Sequence, residues 1–134
     1  MDKIIITKVE SVERCLKRIT DKYDETRFDD DFDMQDIVVL NLQRACEQCI
    51  DIAHRLLKIK QFGLPKDSAE GFMVLAEEGI IEANLANSLK KMVGFRNVAV
   101  HDYTKMNNDI VKFVVKNGTE DIRNFIKIMI QLEY

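Results

Sequence analysis

The stretch Ile5-Ile6-Thr7-Lys8-Val9-Glu10-Ser11-Val12-Glu13-Arg14-Cys15-Leu16-Lys17-Arg18-Ile19-Thr20-Asp21-Lys22-Tyr23 sets Ile5, Val9, Val12, Leu16, Ile19 and Tyr23 at alternating steps of four and three. That spacing returns each apolar side chain to one flank of a 3.6-residue helix. The segment therefore reads as an amphipathic helix that needs a partner to bury its stripe. The same rhythm recurs in Val38, Leu42, Ala45, Cys49, Ile52, Leu56 and Ile59, which predicts a second helix ending near Lys60. Between the two, the acidic stretch from Asp24 to Asp31 interrupts, and Asp33 and Asp36 supply carboxylates to the new N-terminus. The run Asp29-Asp30-Asp31 with Asp33 reads as a solvated loop.

Further along, Phe62-Gly63-Leu64-Pro65 breaks the pattern, and Asp67-Ser68-Ala69-Glu70 reads as a capping box opening a short third helix that ends at Gly79. A fourth helix runs from about Glu82 to the neighbourhood of His101, with Leu85, Leu89, Met92 and Val93 facing inward. A fifth starts after Asn107 or Asn108 and carries Val111, Val115, Ile122, Phe125, Met129 and Leu132, with Asn117-Gly118 as a point where it bends or splits. There is no period-two pattern, internal repeat or low-complexity segment. The expected fold is all-α, a single-domain antiparallel bundle of about five helices over residues 1–134.

With 134 residues the chain is long enough to bury one core without staples. Its apolar runs are too short to span a bilayer, and the start lacks a small-residue cleavage site after a sustained apolar run, so the expected location is the cytoplasm, away from membranes. The three cysteines fit free thiols in a reducing compartment. Cys46-Glu47-Gln48-Cys49 is formally a C-x-x-C, but nothing completes a zinc site around it, and buried thiols are expected instead. A net charge of −3 argues against gripping a long duplex by phosphate neutralisation. Local cation clusters remain, at Arg14, Lys17 and Arg18 and at Lys90, Lys91 and Arg96, so any RNA contact should be short.

The chemistry-bearing segment is Arg96-Asn97-Val98-Ala99-Val100-His101-Asp102-Tyr103. Arg offers a planar fork matched to two phosphate oxygens, His gives or takes a proton near neutrality, and Tyr carries a modifiable hydroxyl. Arg96 also continues nearly the apolar stripe of the fourth helix, where it must find an anion, a polar cleft or solvent. Taken alone, His101 and Arg96 are more readily read as a cation favoured at a helix C-terminus and a surface or ion-pairing residue. A second polar series on the second helix, Asn41, Arg44, Gln48, Asp51 and Arg55, shares a face that is either solvated or, with Glu47 beside it, packed near Arg96 and His101. His54 has no motif around it and reads as structural.

The longer string Lys90-Lys91-Met92-Val93-Gly94-Phe95-Arg96-Asn97-Val98-Ala99-Val100-His101-Asp102-Tyr103 resembles the signature of the HEPN superfamily, specifically its HepT-type toxins. In that family Arg, four intervening residues, His, one residue and Tyr follow a Gly-hydrophobic-Arg-Asn lead, and every one of those positions matches. The resemblance implies a ribonuclease toxin paired with a minimal nucleotidyltransferase antitoxin. It implies Arg96 and His101 as catalytic residues, Tyr103 as the site of AMPylation, and a homodimer whose two motif copies face one cleft. Polar residues of an earlier helix would support the site, the candidates being Arg44, Glu47 and Asp51 together with Asn97. RNA can be cut by attack of its own 2′-hydroxyl, given a base, an acid and cationic stabilisation, so the scheme calls for no metal and no cofactor. Two other readings stay open: a non-catalytic nucleotide- or substrate-binding subunit of a nucleotidyltransferase complex, and a purely structural dimerisation domain.

Overall fold

The second helix organises the molecule. In the computed structural model, which describes residues 2–132, it runs over Phe32–Lys60 (α2) and touches every other long helix. Its 29 residues correspond to a rod of about 44 Å. Around it stand α1 (Lys3–Lys22), α3 (Glu70–Glu77), α4 (Ala83–His101) and a last rod made of α5 (Asn108–Phe113), a wide π-turn (Val114–Gly118) and α6 (Thr119–Gln131). Short 3-10 turns at Phe28–Asp30 and Tyr103–Lys105 complete the order, and no strand occurs among the described residues. The expected all-α bundle of five rods is what the chain forms.

The apolar stripes read from the sequence are the packed faces. Ile5, Val9, Val12, Leu16 and Ile19 of α1 are buried, as are Val38, Leu42, Ala45, Cys49, Ile52 and Leu56 of α2. Because α2 is enclosed on several flanks, Val39, Cys46, Ala53 and Leu57 off its main stripe are buried too. Burial of each such side chain stabilises the fold by about 1.5–3 kcal/mol. The α1–α2 pair is antiparallel: Asp2 meets Arg55 at 2.9 Å and Lys8 meets Asp51 at 3.1 Å. The Arg55 guanidinium beside Asp2 holds that carboxyl below the usual range. Asp2 also caps α1, accepting from the backbone N–H of Ile4 and Ile5.

Two details of the connections differ from the sequence reading. The cap of α2 is Asp31, whose carboxylate accepts from Met34 N–H at 2.9 Å, rather than Asp33 or Asp36. The acidic run is also partly engaged, since Asp29 pairs with Lys112 at 2.9 Å and accepts from Asn108 at 3.2 Å, pinning the α1–α2 loop to α5. Phe28 in that loop is fully buried and drives the inward turn. At the third helix, Asp67 does accept from the N–H groups of Ala69 and Glu70, but the helix proper opens at Glu70, two residues later than the capping box suggested. That helix closes at Gly79, whose φ of +75° permits the left-handed turn in which Ile80 N–H reaches back to the Leu75 carbonyl at 2.9 Å.

Asn117-Gly118 lies where the last rod divides into α5 and α6, as the sequence suggested. It is absorbed in the π-turn, where the helix widens to hold one residue more. Gly118 lets α4 approach closely: a Cβ at this position would stand 2.5 Å from Met92 Sδ and 3.0 Å from Val114 Cγ1, so the packed Met92 side chain would have to move. Gly118→Ala is therefore expected to lower stability by about 1–3 kcal/mol, the usual range for overpacking, despite the better helix propensity of Ala. Urea denaturation of the two proteins, compared at equal slope, measures it.

Candidate active site

The site is assembled where the C-terminal half of α4 lies antiparallel along the N-terminal half of α2. Arg96 stands level with Cys46, and two turns further on Tyr103 meets Asp36. Burial pushes the Cys46 thiol up to about 12, with the Arg96 charge pulling the other way. This is the resolution of the cation on an apolar stripe. Arg96 is half-buried, its Nη2 donates to Ser68 Oγ at 3.0 Å in the turn before α3, and its buried Nε has no hydrogen-bond partner. One arm of the fork is thus held by Ser68, while other donors of the guanidinium remain unspent.

His101 is the last residue of α4 and is exposed. Five residues beyond Arg96, it projects about 140° further round the helix, so the two side chains of one chain do not point to one spot. At Asp102 the backbone leaves helical geometry (φ −154°, ψ 52°), and Lys105 pairs with that carboxylate at 3.1 Å, fixing the 3-10 turn that carries Tyr103. The Tyr103 ring is 43% exposed, and its hydroxyl donates to Asp36 Oδ1 at 2.5 Å. Burial and the Asp36 carboxylate push this phenol up to about 12.

The supporting residues named from sequence divide. Asp51 is not near the motif: it pairs with Lys8, and Gln48 and Arg55 likewise turn to α1. Asn41 is buried and donates to the Ile37 carbonyl at 2.8 Å, leaving its Oδ1 without a partner. Arg44 is exposed, its charge felt by Cys15 of α1. Asn97 is exposed on α4. Glu47 is the member placed on the motif side, since it follows Asp36 by eleven residues, which returns it to within about 20° of the same face. There it accepts from Gln43 Nε2 at 2.9 Å. Sequence reasoning missed Asp36 and Ser68 as partners of Tyr103 and Arg96. The period of Asp36, Gln43 and Glu47 was the available signal. His54 stays out of the site, packed beneath Gly71 of α3 with its Nε2 buried and unpartnered.

The ribonuclease HepT-like family matches residues 9–129, which span the whole arrangement. The chain belongs to that family. The mRNA nuclease HepT of Shewanella oneidensis is 48% identical over 130 residues, covering 96% of this chain and 98% of that protein. Among solved structures, the tri-AMPylated Shewanella oneidensis HEPN toxin in complex with MNT antitoxin superposes with a TM-score of 0.92 at 48% identity, over 96% of this chain and 98% of that one. A toxin–antitoxin crystal structure with AMP-PNP gives a TM-score of 0.90 at 46% identity over the same shares. The HepT-type signature read from Gly94 to Tyr103 thus sits in a HepT-like fold.

Proposed function

We propose that this chain is the ribonuclease toxin of a toxin–antitoxin pair, acting in the cytoplasm as one HEPN-type domain over residues 1–134 and silenced by AMPylation of Tyr103. The observation that carries the reading is the intact Arg96, His101 and Tyr103 set at the exposed end of α4, in a chain 48% identical almost end to end to an mRNA nuclease. Its partner is then a nucleotidyltransferase antitoxin of the MntA kind, and its substrate is RNA.

The working site is formed by two copies of the chain. Within one chain Arg96 and His101 diverge, so facing copies are needed to bring two imidazoles and two guanidinium groups around one phosphate. Exposed apolar side chains around the motif support such a pairing: Leu40 on α2 and Val98 and Val100 on α4 are 40%, 38% and 44% exposed. One His101 removes the proton of the RNA 2′-hydroxyl, whose oxygen attacks the adjacent phosphorus. The bond to the 5′-oxygen breaks, and the other His101, or water, protonates that oxygen as it leaves. Both Arg96 forks hold the phosphorane oxygens, a stabilisation larger in the transition state than in the ground state.

The products follow from the attack by the internal hydroxyl. Purified chain incubated with RNA in excess chelator is expected to yield 2′,3′-cyclic phosphate and 5′-hydroxyl ends, with specific activity falling on dilution in step with dimer dissociation by sedimentation. Strict dependence on a divalent ion, with 5′-phosphate ends, would replace this scheme by metal-activated water. Full activity in a monomer would remove the two-copy site.

A further inference from the structure

The hydrogen bond from Tyr103 to Asp36 joins side chains 67 positions apart, and both lie at the surface. A phenol that is 43% exposed has water available as a partner, so burial alone does not demand a carboxylate at this point. The geometry has a particular result. A phenol has one hydrogen and two oxygen lone pairs. Its hydrogen is committed to Asp36, on the α2 side, which leaves the lone pairs for an electrophile arriving from elsewhere.

The chemistry of this hydroxyl is otherwise unpromising. With its ionisation pushed up to about 12, Tyr103 is a neutral phenol at physiological pH and a weak nucleophile. Any group transfer onto its oxygen must remove the proton as the new bond forms. Asp36 is already on that proton, and among the described residues no cation pairs with its carboxylate. The nearby Lys105 is taken by Asp102.

We infer that Asp36 is the proton acceptor for attachment of a nucleotidyl group to Tyr103, a role that rests on Tyr103 being the modified side chain. The Tyr103 oxygen forms a bond to the α-phosphorus of ATP. The bond from that phosphorus to the bridging oxygen of the pyrophosphate breaks, pyrophosphate leaves with the electron pair, and the phenolic proton passes to the Asp36 carboxylate. The division of labour matches protein kinases, in which an Asp accepts the proton of the substrate hydroxyl while other groups handle the phosphates. Here the acceptor protein supplies that Asp itself. The modifying enzyme has then only to deliver and activate ATP.

The test is the steady-state transfer of the first AMP from ATP labelled at the α-phosphate to the full-length chain by its nucleotidyltransferase partner. Asp36→Asn keeps an oxygen able to accept the phenol hydrogen bond but cannot hold the proton. It is expected to lower kcat about 100-fold, within the usual range for losing a general base, with the KM for ATP unchanged. Asp36→Glu should recover part of the rate. Labelling of Asp36→Asn at the wild-type kcat overturns the inference, as does a loss seen only as a raised KM for the chain, which would make Asp36 a docking contact. Tyr103→Phe separates the two levels: if it takes no label, the modification site stands whatever Asp36 does, and if it is labelled like the wild type, the site is wrong and the role of Asp36 falls with it.

Discussion

His101→Ala abolishes growth inhibition and lowers RNA cleavage by about 100- to 10,000-fold, the range expected when a positioned proton-transfer group is lost. The substitution is clean, because His101 is exposed at the end of α4 and surface changes usually shift stability by no more than about 0.5 kcal/mol. Arg96→Ala gives a loss of about 100- to 1,000-fold through the missing stabilisation of the phosphorane. Arg96 is half-buried against Ser68 and Cys46, so its variant is compared at matched helicity by circular dichroism. Arg96→Lys remains poor, since a single ammonium cannot reproduce the planar fork. Cleavage at the wild-type rate by folded His101→Ala would end the proposed chemistry.

Tyr103→Phe blocks the addition of AMP altogether. When the chain is incubated with its nucleotidyltransferase partner and ATP, the wild type gains mass in whole AMP units and the variant gains none. The substitution removes one hydroxyl from a 43% exposed ring and leaves no cavity, so the helical fold is retained. Physically, AMP on Tyr103 adds a negative phosphodiester seven residues, or about 10 Å, from Arg96 along the chain, near enough for the nucleotide to lie over the cation proposed to hold substrate. A toxic Tyr103→Phe variant escapes the partner's enzymatic control. Its complete rescue by a catalytically dead partner would mean that binding alone provides neutralisation.

The helices were legible because each carries a sustained four-three stripe, and a stripe needs no knowledge of what covers it. Val12, Leu42, Leu89 and Phe125 are buried as their spacing requires. The motif was legible for a different reason: Arg96, His101 and Tyr103 are close in sequence, so their spacing can be read without knowing which surface each side chain faces. What the sequence hid are the contacts made across helices. Nothing local couples Asp36 to Tyr103 or Ser68 to Arg96, and both residues had plausible local employment at helix starts. The polar series on α2 shows the complementary error. Gln48, Asp51 and Arg55 do share a flank, but a helix with neighbours on several sides does not reveal which neighbour a flank meets, and this one meets α1.

The wide turn at Val114–Gly118 bears on how the chain tolerates changes in length. A π-turn houses one residue beyond what the height of the helix requires. Removing a single residue there lets the rod relax to ordinary α geometry while Ile122, Phe125 and Met129 keep their phase against the core. The same deletion inside α4 would rotate everything after it by about 100°, carrying Tyr103 away from Asp36 on α2. The last rod therefore holds a reserve of one residue, a slack link in a bundle whose motif-bearing helix has none.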